Sequence, residues 1–284
     1  MPPAGGRPLF QRPASTGLLA VATVRRVVAP NPGPYTGPGT NTWIVGDPPV
    51  VAVIDPGPDD DRHLEAVERA LGGAALAAVL VTHSHPDHLP LAERLAGRHQ
   101  ARVARHPELA DGDLVRVGRL SLAALFTPGH APDHLCFWLA EDRVAFTGDL
   151  ILGRGSSMVT YPEGDVAAYL ASLERLASLC PRMLFPGHWD PVLEAEAKIE
   201  EYRRHRLERE VQILAALSQG PAGAAELTQR VYAAEVGDDA MLQAAAEMTL
   251  RAHLRKLVDE GRVQARRGPG GEAYALAAAR RRPP

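Results

Sequence analysis

The chain has 284 residues, 45% of them hydrophobic and 23% charged, with a formal net charge of −3. That length can bury a large core and leave a small second domain, and the mild acidity gives no overall attraction to nucleic acid or an anionic membrane. With only Cys136 and Cys180 there is no disulfide framework, and a reducing compartment is the expectation.

Residues 1–20 begin with a dense run of Gly, Pro and Arg and read as a flexible leader. The apolar run 17–22 is short, and Arg25-Arg26 follow it rather than precede it, the wrong order for a secretory signal. No run approaches the roughly 18 apolar residues of a membrane span. A cytoplasmic protein with no membrane contact is expected.

Short apolar runs at 41–45 and 50–54 predict strands, the second ending at Asp55-Pro56-Gly57. Leu64, Val67 and Leu71 fall at helical spacing over 61–71, and Gly72-Gly73 stops that helix. The apolar strand 78–81 runs directly into Thr82-His83. A helix over 91–96 and strands at 101–103, 114–117, 120–126 and 135–139 follow. Another strand, 143–146, ends at Thr147-Gly148-Asp149. A helix over 167–179 then leads to a strand at 183–185, before Pro186-Gly187-His188. Histidine-bearing loops thus recur at strand ends, where a rigid sheet can position ligands.

Beyond residue 192 the pattern turns helical, at 191–217, 224–231 and 242–258. A hairpin of 261–265 and 273–276 closes around Gly268-Pro269-Gly270-Gly271. Three helices and a hairpin have the layout of a winged helix.

The chemistry concentrates in Thr82-His83-Ser84-His85-Pro86-Asp87-His88. Imidazoles and carboxylates are good ligands for Zn²⁺ or Fe²⁺, and several aimed from one turn can serve adjacent ions. A polar loop with locally bonded histidines is the plainer alternative, but so dense a group at a strand end favours ligation. His130, Asp149 and His188 each follow a glycine after an apolar strand.

The spacing of His83, His85, Asp87 and His88, with His130, Asp149 and His188 after it, resembles the metallo-β-lactamase superfamily. The resemblance implies an α+β fold, an αββα sandwich, with His83, His85 and His130 on one metal and Asp87, His88 and His188 on a second. Asp149 would bridge them. Asn31-Pro32-Gly33-Pro34, Gly39-Thr40-Asn41-Thr42 and Asp149-Leu150-Ile151-Leu152-Gly153 resemble the beta-lactamase-like protein 2 group, which carries a C-terminal winged helix. The chain departs from the usual pattern at Leu89-Pro90-Leu91-Ala92 and at Trp189 after His188. The domains implied are a leader at 1–20, a catalytic domain with its connecting helix at 21–206, and a winged-helix-like domain with a basic tail at 207–284.

The cofactor expected is a pair of divalent ions, zinc first and iron or manganese next, able to acidify a shared water. Asp87 is the carboxylate placed to orient that nucleophile or take its proton. His134, four residues after His130, either hydrogen-bonds the substrate or leaving group or supports a ligand together with Asp133. Asp55 is expected to orient a ligating imidazole. Ser156, Ser157 and Tyr161 follow Asp149 toward the cleft but read singly as surface residues. His63, His205 and His253 read as surface or packing residues on helices, and Cys136 as buried. The beta-lactamase-like protein 2 resemblance favours cleavage of single-stranded RNA. The alternatives are hydrolysis of a small acyl substrate, as in a thioesterase, lactonase or β-lactamase, and a non-catalytic metal- or nucleic-acid-binding protein. Arg251, Arg255, Lys256, Arg262, Arg266, Arg267 and Arg280-Arg281-Arg282 could meet phosphates, or could form a packing or homodimer face.

Overall fold

In the computed structural model, which describes residues 23–268 and 271–277, β1 (Val24–Val28) pairs antiparallel with β2 (Asn41–Val45), Val24 opposite Val45. β3 (Val50–Ile54) returns beside β2. Parallel neighbours need a long crossover. Here α1 (Asp61–Leu71) carries the chain to β4 (Ala75–Leu80), and α2 (Ala92–His99) carries it to β5 (Arg102–Ala104). The first sheet is five-stranded, in the order β1-β2-β3-β4-β5.

β6 (Leu114–Val117), β7 (Leu120–Phe126), β8 (Leu135–Leu139) and β9 (Val144–Gly148) form an antiparallel meander. α3 (Val166–Ser178) then leads to β10 (Met183–Pro186), which lies parallel to β9. This second sheet has the order β10-β9-β8-β7-β6.

The run Val50–Ile54 is apolar throughout because both faces of its sheet are covered. Trp43, Val45, Ala52, Ile54, Ala78 and Leu80 meet Leu122, Ala124, Phe137, Leu139 and Phe146 of the second sheet. On the other face Ile44, Val51, Val53 and Val79 meet Leu64, Val67 and Leu71 of α1 and Leu95 of α2. This is the αββα sandwich. Asp60 caps α1 by accepting the His63 amide at 2.8 Å, and Gly72, at φ 62°, ends it. Truncating Leu64 to alanine would cost about 2–5 kcal/mol.

α4 (Ala195–Leu217) continues the chain, followed by β11 (Ala222–Gly223), α5 (Ala224–Val236), α6 (Ala240–Asp259), β12 (Val263–Gly268) and β13 (Gly271–Leu276). The small sheet is three-stranded, ordered β11-β13-β12. Ile213, Leu217, Leu227, Leu250, Leu254, Leu257, Val263 and Tyr274 form its separate core. This is the winged-helix-like domain.

The chain divides into two compact units, the boundary falling inside α4 between Ile199 and Glu200; residues 129–132 and 158–171 are counted with the second. β1 stands where no strand was expected, because Arg25 and Arg26 interrupt its apolar pattern. The expected leader over 1–20 and the arginines at 280–282 lie outside the described residues. Among the described residues, no helix is long and apolar enough to cross a membrane.

Candidate metal centre

Strand ends of both sheets deliver the polar side chains. At the end of β3, Asp55 is buried and adopts φ 51°, a left-handed conformation that Asp tolerates better than most residues. Its carboxylate accepts the Thr82 amide (2.8 Å), the Thr82 hydroxyl (2.8 Å) and His88 Nδ1–H (2.9 Å). That fixes two tautomers. The Thr82 hydroxyl has given its proton to Asp55, so it accepts His83 Nδ1–H at 3.0 Å and leaves Nε2 of His83 with a lone pair. Likewise Nε2 of His88 carries the lone pair; it is buried and has no hydrogen-bond partner among the described residues. His83 Nε2 lies 2.9 Å from Nδ1 of His85.

Nε2 of His88 lies 3.4 Å from Asp87 Oδ2 and 3.5 Å from Asp149 Oδ1. His188 Nε2 lies 3.1 Å from Asp87 and 3.4 Å from Asp149, while its Nδ1 faces the Gly39 carbonyl at 3.4 Å. His130 Nδ1 donates to the Met158 carbonyl at 2.7 Å, which leaves Nε2 for a ligand. Ligand atoms come within 4.8 Å of one another in three groups: His83, His85 and His130; Asp87, His88 and His188; and His83, His88 and Asp149. His83 and His88 each belong to two groups, and Asp149 joins them.

Gly187 shows how closely the backbone approaches this cluster. A Cβ there would lie 2.5 Å from Asp149 Oδ1 and 2.7 Å from His88 Cε1. Gly148 combines φ 45° with a similar squeeze, its Cβ position being 2.5 Å from the Thr82 hydroxyl.

The cluster as the protein alone presents it is short of positive charge. Burial opposes the charged form of His188, yet Asp149 and Asp87 lift its imidazole to about 9. Burial likewise opposes a charged His88, but Asp55 and Asp149 hold it well above the ordinary imidazole range. Asp87, which burial would raise, is held well below the usual carboxylate range by the His188 and His88 imidazoles beside it. Converging imidazole lone pairs, acidic neighbours and a glycine-lined approach fit divalent cations in the place of those protons.

Residues 35–112 and 109–188 match the family model described as Metallo-beta-lactamase superfamily, and residues 224–270 match the Beta-lactamase associated winged helix domain. The chain belongs to the metallo-beta-lactamase superfamily. It is 36% identical to the lactamase-like protein adaB of Aspergillus niger, over 70% of this chain and 65% of that protein's length. It is also similar to the beta-lactamase-like protein 2 homolog of Caenorhabditis elegans (29%, covering 85% of this chain and 86% of the relative). A third relative is the atrochrysone carboxyl ACP thioesterase nsrC of Aspergillus novofumigatus (31%, 84% and 80%). Among solved structures, a beta-lactamase domain protein from Burkholderia ambifaria superposes with a TM-score of 0.78 at 25% identity, covering 89% of this chain and 91% of the other. A metallo-beta-lactamase family protein from Thermus thermophilus gives 0.75 at 26% identity, covering 89% and 98%. Membership and the ligand groups fit a binuclear divalent-metal site, and the chain spans about 65% of the length of the curated relative it matches in Aspergillus niger.

Of the two settings open to His134, the structure places it beside a candidate ligand. Its side chain is fully buried against the His83 ring, with centroids 5.2 Å apart, and Nδ1 meets the Thr127 hydroxyl at 2.9 Å. The Thr127 hydroxyl is thus one hydrogen-bond partner of the buried ring. His63 is buried too, its Nε2 2.9 Å from the Thr42 hydroxyl, which donates to the Asp55 carbonyl.

The family-like text at 31–42 also acquires physical work. Asn31 Nδ2 donates to the Thr40 hydroxyl (3.0 Å), which turns its proton toward Asp87 Oδ2 (3.3 Å). Asn41 Nδ2 donates to the carbonyls of Pro186 (3.0 Å) and Trp189 (2.7 Å), holding the loop that carries His188. Trp189 lies against Gly37, where a Cβ would sit 2.4 Å from the indole ring. The sequence names these residues but not their partners.

Proposed function

We propose that this protein is a metal-dependent hydrolase and that it cleaves acyl thioesters. The observation that carries the reading is the match to nsrC, named a thioesterase, over 84% of this chain and 80% of that protein. Further relatives named as atrochrysone carboxyl ACP thioesterases match at 30% and 32% identity.

A bound pair of divalent ions would supply nucleophilic water at neutral pH and Lewis acidity at the scissile carbonyl. His83, His85 and His130 would hold one ion, Asp87, His88 and His188 the other, and Asp149 would serve both. Asp87 is half-buried and held in its ionised form, with Thr40 and His188 restricting its carboxylate. It can accept a hydrogen bond from the attacking water and so orient it as the C–O bond forms. The C–S bond then breaks, and a proton of that water passes to the departing sulfur, leaving carboxylic acid and thiol. A thiolate, whose conjugate acid has a pKa of about 8.5, asks little of an acid catalyst.

RNA cleavage, favoured by the sequence alone, has weaker support. Binding several phosphates calls for a row of uncommitted cations. In the winged-helix-like domain Lys256 pairs with Glu210 and Glu260, Arg262 pairs with the same two carboxylates, and Arg230 pairs with Glu226.

The test is a panel of acyl thioesters, lactones, a β-lactam and unstructured single-stranded RNA, offered to wild-type protein and Asp87→Ala. Thioester turnover lost in the variant supports the reading. RNA products that depend on Asp87, with no thioester turnover, overturn it.

A further inference from the structure

His63 is buried, yet it belongs to none of the three ligand groups. It sits in the first turn of α1, where Asp60 caps the helix on its amide. The Thr42 hydroxyl donates to the Asp55 carbonyl at 2.8 Å, and a carbonyl can only accept. The same hydroxyl must therefore accept from Nε2 of His63, 2.9 Å away, which makes the ring the Nε2–H tautomer. Nδ1 is left as a buried lone pair with no hydrogen-bond partner among the described residues. Burial pushes the pKa of the ring down, so it is neutral near pH 7. Leucine at this position would extend the apolar side made by Leu64, Val67 and Leu71 without stranding a polar atom. What histidine adds is one N–H donor.

That donor supports the turn that aims the ligands. Asp55 is held at φ 51°, its amide donating to Leu80 O at 2.9 Å and its carbonyl accepting from Thr42. Its carboxylate orients His88 directly and His83 through the Thr82 hydroxyl. Two residues on, the Gly57 amide donates to the His88 carbonyl (3.1 Å) and the Gly57 carbonyl accepts the Leu91 amide (3.1 Å). A Cβ at Gly57 would lie 3.2 Å from Cδ2 and Nε2 of His63, so the ring packs directly against this turn. His63 thus meets the turn at both ends, through Thr42 at Asp55 and by contact at Gly57.

We propose that His63 is a positioning residue of the metal centre, acting through the Thr42 hydroxyl on the turn at 55–57 and so on His88 and His83. Accepting Nε2–H turns the Thr42 proton toward the Asp55 carbonyl. The left-handed Asp55 backbone then stays where its carboxylate reaches both His88 and Thr82, and each imidazole keeps the tautomer that a metal needs. The role rests on the metal centre and not on the thioester reading.

The test is competitive chelator titration of Zn²⁺ on the full-length protein, with the visible absorption spectrum of the Co²⁺-loaded form as a second readout of ligand geometry. His63→Leu fills the space without a donor and should alter that spectrum. Its metal affinity should fall about 3–10-fold, less than the roughly 10–100-fold lost with a group that orients a ligand directly, because His63 stands one hydrogen bond further out. His63→Gln can present an amide N–H in place of Nε2–H and should recover most of the affinity. Thr42→Val removes the hydroxyl but keeps the ring; it should match His63→Leu, with no further fall when the two are combined. Leu64→Ala on the same helix reports a general loss of packing, and there the melting temperature should fall while affinity and spectrum hold. Wild-type affinity and spectrum in His63→Leu, or equal losses in His63→Leu and His63→Gln, overturn the proposal. A loss in Leu64→Ala as large as in His63→Leu overturns it too. Should His63→Leu not fold, Thr42→Val decides, and wild-type affinity in that variant overturns the proposal. None of these readouts involves turnover, so the thioester reading can fail while this role stands, and the reverse.

Discussion

Asp55 Oδ2 lies 2.9 Å from His88 Nδ1, and both side chains are buried. This contact decides which nitrogen of His88 faces Asp87 and Asp149. Asp55→Asn places an N–H donor where the structure has an acceptor, so either the pair breaks or His88 adopts the other tautomer. Metal affinity should fall about 10–100-fold, the usual effect of losing a group that orients a ligand. Competitive chelator titration of wild type and Asp55→Asn measures it; equal affinities would remove this role.

Gly187→Ala and Gly97→Ala should act in opposite directions. The Cβ at residue 187 collides with Asp149 and His88, so metal content after reconstitution should drop. Gly97 lies inside α2 with nothing within 4 Å of its Cβ position. Alanine there should stabilise the fold by about 0.5–1 kcal/mol. Metal analysis and thermal melts of both variants distinguish a site effect from a general one.

The first motif and the later ligands could be read from the sequence because each follows an apolar strand, and strand ends are local features. The helix over 61–71 was equally clear, with Asp60 and Gly72 marking its ends and Leu64, Val67 and Leu71 its buried side. β1 was hidden by Arg25 and Arg26. The partners of the ligands were hidden for another reason: Thr40 and Asp87 are 47 positions apart, and a single hydroxyl leaves no periodic trace. For His134, sequence spacing gives proximity to His130 without giving burial.

The two thiols should react very differently. Cys136 is buried, and burial pushes its thiol up to about 12, while Cys180 is exposed. A thiol reagent should label Cys180 alone in the folded protein and both residues after denaturation. Rapid labelling of Cys136 in the native state would contradict the packing of β8 against its neighbours.

Acid should weaken the winged-helix-like domain through His253. Its ring is buried, both nitrogens lack hydrogen-bond partners among the described residues, and burial, Arg206, Arg209, Lys256 and His205 hold its pKa well below 6.5. A depressed native pKa means that the unfolded chain binds the extra proton first. Stability is therefore fully present above about pH 6.5 and lost as pH falls toward the native value. His63 and His205 are shifted in the same direction. His253→Leu should reduce the loss between about pH 7.5 and about pH 5 without abolishing it, as urea melts at both values would record. An unchanged difference between the two pH values would contradict the assignment.

The two-ion centre is tested most directly by anomalous diffraction from crystals of the metal-reconstituted protein. The account predicts two peaks, one beside His83, His85 and His130 and the other beside Asp87, His88 and His188, with Asp149 reaching both. A single peak, or none at these side chains under saturating metal, would contradict it.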